Sequence, residues 1–238
     1  MQCLPPSSPR PPVSAIDQLR HTAAVSAAGE EQPTLIELFG DSPADGAVTG
    51  FVLAHLHGAT RPVLWIQDRL SEREAGRPAL AGLTVPVQIV HVAVSRPVDA
   101  LWAMEEGLGC TELAAVICEI WGDPAVLDFT ATKRLALRAE AQGCPAFLVR
   151  RAASPNLSAA RLRWRITSLP ALADPFDSRA PGQPLWQAEL FRARWRTPGQ
   201  WVASHDPRAG LHFAHEVRAG LPAAPDTVVG AGPAAARA

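Results

Sequence analysis

The stretch Thr34 to Asp68 constrains the chain most, because it reads as strand, loop, helix and strand in that order. Leu35-Ile36-Glu37-Leu38-Phe39 is a short apolar run closed by Gly40, and Asp41 to Gly46 has the composition of a loop. Apolar residues at Val48, Phe51, Val52 and Leu56 fall at helical spacing, and Pro62 to Ile66 is a second buried-strand candidate. This is a βαβ unit, and its first loop lies where P-loop proteins hold phosphate. A working P-loop reads G-x-x-x-x-G-K-[ST], with the Lys on the β/γ-phosphates and a hydroxyl on Mg²⁺. Here five residues separate Gly40 from Gly46, and Ala47 and Val48 stand in the Lys and Ser/Thr places, ahead of Thr49. The scaffold is present and its chemistry is missing.

A chain of 238 residues holds one large core, or a core with a small appendage. No apolar run approaches the eighteen or so residues of a membrane span. Met1 to Pro12 lacks the apolar region of a signal peptide. Cys3, Cys110, Cys118 and Cys144 form no C-x-x-C pair, so reduced thiols in a cytoplasmic protein are expected. The net charge of −1 conceals an asymmetry: residues 1–128 carry seven Lys+Arg against sixteen Asp+Glu, and residues 129–238 carry fifteen against seven. A basic half suits a partner or nucleic-acid surface, and it equally suits two halves that neutralise each other inside one fold.

Residues 1–33 read as a loose Pro-, Ser- and Ala-rich arm with one short helix over 15–28, residues 34–220 as the domain, and residues 221–238 as a disordered tail. Gln67 to Pro78 reads as a polar loop at a strand's carboxyl end. Val87 to Val92 alternates as a third strand in which His91 is structural. A helix opens at Pro97 and runs over Val98 to Leu108, with Leu101, Trp102 and Met104 apolar, Glu105 and Glu106 exposed, and Gly107 or Gly109 as its stop. Leu113 to Ile120 reads as a central parallel strand buried on both sides. Asp128 to Gln142 reads as a helix with Leu135 and Leu137 inward, capped by Asp128 through Phe129-Thr130 and ended by Gly143. Ala146 to Val149 is the next strand. After Arg150 the pattern changes to period two, in Arg161 to Ile166, Leu185 to Arg194, Gln200 to Ser204 and Gly210 to Phe213. The expected fold is α/β, a mostly parallel mixed sheet flanked by helices with a C-terminal antiparallel extension.

Several stretches in this order resemble the ImuA family, RecA-like proteins of bacterial DNA-damage mutagenesis operons: VTGFVLAHL with PVLWIQDR, PVDALWAMEEGL, LAAVICEI, LDFTATKRLALRAEAQG, RLRWRI and WQAELFRAR. The resemblance covers roughly residues 34 to 215. It implies a RecA-like core without competent ATPase motifs, and a translesion-synthesis role beside ImuB, a Y-family polymerase homologue, and an error-prone replicative-type DNA polymerase. Single-stranded DNA or a RecA filament is a further candidate contact. The chain departs from the family at an abbreviated N-terminal side and a short Arg77-Pro78 loop.

On a RecA-like core, Gly40, Asp45, Gly46, Ala47 and Thr49 make a degenerate nucleotide loop. Glu119 is the one substitute for the Mg²⁺-orienting Asp, and Asp68 stands near the catalytic-Glu place. No hydrolysis, cofactor or metal is expected; His55 and His57 diverge on a helix, and His212 and His215 have no third ligand. The alternative is a divergent ATPase, or a recombinase-like protein that binds single strands. Arg163, Arg165, Arg192, Arg194, Trp195 and Arg196 interleave guanidinium groups with indoles, the pattern of a DNA or partner surface. Against it, strand alternation sends Trp164 inward.

Overall fold

The structure is a computed structural model that describes residues 32–79, 87–174, 176, 177, 179–206 and 210–214. The helix expected over 15–28, the tail, and the arm apart from residues 32 and 33 lie outside the described residues.

Among the described residues, nine strands form one sheet in the order β3-β2-β4-β5-β1-β6-β7-β8-β9. The strands are β1 (Leu35–Gly40), β2 (Val63–Asp68), β3 (Ile89–Val94), β4 (Ala115–Trp121), β5 (Ala146–Arg151), β6 (Leu162–Leu169), β7 (Leu185–Ala193), β8 (Gly199–Asp206) and β9 (Gly210–Ala214). From β3 to β6 every pairing is parallel, and from β6 to β9 every pairing is antiparallel. The helices among the described residues are α1 (Ala47–His55), α2 (Arg69–Ala75), α3 (Pro97–Gly107) and α4 (Phe129–Gln142). This is the RecA-like architecture of the P-loop proteins, a parallel core extended by an antiparallel meander.

Strand alternation divides the core into two layers. On one face, α1 packs on Trp65, Ile117, Phe147, Trp164 and Trp186. Phe51 lies 5.7 Å from the Trp164 ring and 6.0 Å from both Trp186 and Phe213. Gly50 lets α1 approach, since a Cβ there would sit 3.0 Å from the Trp186 ring. On the other face, α3 and α4 cover Ile66, Cys118, Ile120 and Leu148. Each buried Leu, Ile or Phe in these layers stabilises the fold by about 1.5–3 kcal/mol.

Three local expectations change. Gln67 and Asp68 finish β2, and the charged run after them is α2, because Asp68 caps it by accepting from the Ser71 amide at 2.7 Å. Trp102 is 67% exposed on the outer face of α3. Leu137 also points outward, since Leu135, Ala136 and Ala139 already fill the inner face of α4. Asp128 caps α4 through the Ala131 amide, the third residue on rather than the first two. Gly143 ends α4 in the left-handed conformation at φ 63°. Among the described residues, no helix is long and apolar enough to cross a membrane.

Candidate functional site: the carboxyl edge of the parallel strands

In an open parallel sheet, ligands sit beyond the carboxyl ends of the strands. Here β1 delivers Gly40 to that edge and α1 begins at Ala47, with Gly46 at its N-cap. The first helical amides and the helix dipole would serve an anion. The chain supplies that anion itself. Asp45 Oδ1 accepts from the Ala47 amide at 2.9 Å and from the Ser168 hydroxyl at 2.5 Å, and Oδ2 accepts from the Ser168 amide at 3.0 Å. Partial burial raises the Asp45 pKa; the Ser168 hydroxyl, the Ala47 and Ser168 amides and the Arg151 charge outweigh it and hold the carboxyl below its ordinary range.

Behind the loop, Arg151 fills the space toward β4. Its Nε donates to Glu119 Oε2 at 3.0 Å, one terminal nitrogen to the Asp45 carbonyl at 3.1 Å, and the other to Thr49 Oγ1 at 2.6 Å. The second Glu119 oxygen accepts from Trp65 Nε1 at 2.8 Å. Glu119 and Arg151 are both buried. Sequence reading placed Glu119 and Thr49 near a metal and a phosphate; the structure gives both to one guanidinium. Ala152 then leaves β5 at φ 47°, a left-handed turn that costs an L-residue about 1–2 kcal/mol.

Arg150 points to the opposite face and enters a second buried cluster. Glu37 on β1 accepts from Arg150 at 2.8 Å and from Arg163 on β6 at 2.7 Å. Arg150 also reaches Asp123 at 2.6 Å. The three strands β5, β1 and β6 are adjacent, which brings the three charges together.

The remaining named positions separate clearly. Asp68 is a structural cap on two elements, since its second oxygen accepts from the Trp121 amide. His91 pairs with the buried Gln67 at 2.8 Å, a structural role. Arg163 does not belong to a surface: it is 4% exposed, because Glu37 draws it inward. Arg165 is partly exposed and bound to Glu189 and Asp41. Arg196 lies over the rings of Trp164 and Trp201, at 5.6 and 5.5 Å. Arg192, Arg194 and Trp195 are exposed, with Arg194 stacked 5.8 Å from the Trp195 ring. Trp164 is buried, as strand alternation requires.

Sequence reasoning missed Arg151, Ser168 and Trp65. The one available signal was Arg150-Arg151, two cations closing an apolar strand at the edge where ligands bind. Comparison with protein-family models and with curated proteins finds no match for this chain.

Proposed function

We propose that this chain is a non-catalytic RecA-like accessory protein of translesion synthesis. In this reading it belongs with the ImuA family and acts in the cytoplasm as an adaptor. Its partners are an ImuB-like Y-family polymerase homologue and an error-prone replicative-type DNA polymerase. The observation that supports it most is Arg151, buried against Glu119, Thr49 and the Asp45 carbonyl. A nucleotide would have to expel that guanidinium, strip Asp45 from the Ala47 amide and Ser168, and then find a methyl group at Ala47 where the phosphate Lys belongs. The first two steps remove charge-assisted hydrogen bonds, at roughly 1.5–3 kcal/mol apiece, and the third offers the phosphate no cation in return.

The expected outcome is no phosphate release from ATP above background, with or without single-stranded DNA, and co-purification with the polymerase homologue. Hydrolysis abolished by Asp45→Ala or Glu119→Gln would overturn the non-catalytic reading. No association with the polymerase homologue would overturn the adaptor reading.

A further inference from the structure

A groove of about 330 Å³ runs between α4 and the start of β6 with the end of β7. Its floor includes Phe129 and Leu137, which are 43% and 49% exposed. They lie eight residues apart on α4 with Lys133 midway, so all three share one helix face. Arg161, Arg192 and Arg194 form the facing rim. Arg161 is held by Glu140, at 2.6 Å. Lys133 and Arg192 take part in none of the ion pairs among the described residues.

An occupant must satisfy both halves of this surface. A small anion would leave Phe129 and Leu137 in water. A single nucleic-acid strand gains its affinity by stacking successive bases on aromatic faces. Among the described residues, Phe129 is the one aromatic lining the groove, and the other apolar lining is Leu137 with three alanines. Aliphatic side chains flanked by carboxylates match the apolar floor and the cationic rim together.

We propose that this groove docks an acidic amphipathic peptide segment of a partner protein. Its apolar side chains cover Phe129 and Leu137, and its carboxylates meet Lys133, Arg192 and Arg194. The inference rests on the adaptor reading in one respect: it gives such a protein its contact site.

Fluorescence anisotropy on the full chain tests it, with a labelled model peptide carrying Leu at helical spacing and Glu elsewhere. The control is the same peptide with Lys for Glu. The glutamate peptide is expected to bind and the lysine peptide to fail. Lys133→Glu with Arg192→Glu should weaken the first by on the order of tenfold and turn the preference toward the second. Leu137→Ser should weaken binding without changing that preference. The swapped preference cannot come from a chain that failed to fold. Equal binding by wild type and both variants would overturn the proposal, as would no binding of the glutamate peptide. Oligothymidylate binding or self-association lost in these variants, with no peptide binding, would assign the groove to DNA or to a second copy. A polymerase homologue bound equally by wild type and the double reversal would overturn the groove and leave the adaptor reading. Peptide binding in the groove with no polymerase homologue bound would do the reverse.

Discussion

Arg150 and Arg151 are neighbours in sequence that serve opposite faces of one sheet, because successive strand side chains alternate. Each holds a buried carboxylate, and the consequences of losing one follow from desolvation. Glu37→Ala would leave Arg150 and Arg163 buried without their shared partner, and should cost about 3–5 kcal/mol by urea denaturation. A loss under about 1 kcal/mol would mean that water reaches both guanidinium groups. His55 makes a second residue-scale prediction. Burial pushes its pKa from 6.5 down to about 4; the hydrogen bond to the Phe51 carbonyl works against this and the Arg196 charge adds to it. His91 and His205 shift the same way, chiefly through burial. The unfolded chain therefore takes up protons that the fold refuses, and stability should decline as pH falls from about 6.5 to about 4. Over that window His55→Gln should flatten the decline, by at most about 3 kcal/mol at the acid end. An unchanged pH profile for this variant would place the decline elsewhere. None of these pairings was legible in the sequence: Thr49 and Arg151 meet across 102 positions, and local spacing carries no trace of such a contact.

At the scale of elements, periodicity and caps carried most of the fold. The apolar run that became β4 is buried at six of its seven positions, which is why it could be read as a central strand. The βαβ order of β1, α1 and β2 was legible for the same reason. What failed was orientation and short helices. Trp102 and Leu137 are apolar residues on outward faces, and apolar type alone does not say which face a helix buries. The run after β2 looked like a solvated loop because its charges have no apolar stripe; α2 forms because Asp68 caps it and Ser71 is buried beneath. Caps also give a direct test. Asp128 is exposed, and its carboxylate accepts from the Ala131 amide at 2.7 Å, so its chief duty is to start α4 cleanly. Asp128→Ala should cost roughly 1 kcal/mol and lower the melting temperature by a few degrees. A loss several times larger would show that Asp128 does more than cap the helix.

For the molecule as a whole, the strand order explains the charge asymmetry. The basic second half is not a separate lobe, since β5 lies between β4 and β1, and β6 lies against β1. Its arginines consequently meet acids of the first half. Arg134 pairs with Glu105, Arg150 with Glu37 and Asp123, Arg151 with Glu119, Arg163 with Glu37, and Arg165 with Asp41. Of the two readings of the charge imbalance, mutual neutralisation accounts for these five arginines. The cations beside the α4 groove that it leaves without such a partner are few, chiefly Lys133, Arg192 and Arg194. That number limits what nucleic acid could gain here. Each phosphate neutralised on a single strand contributes about −0.7 to the slope of log affinity against log salt, so three cations give a slope of about −2. Raising salt from about 50 to about 200 mM should then weaken oligothymidylate binding in this groove by no more than roughly 20-fold. Binding titrations across that range check the limit. A slope near −5 would require phosphate contacts from cations beyond this groove, and would return the basic half to DNA.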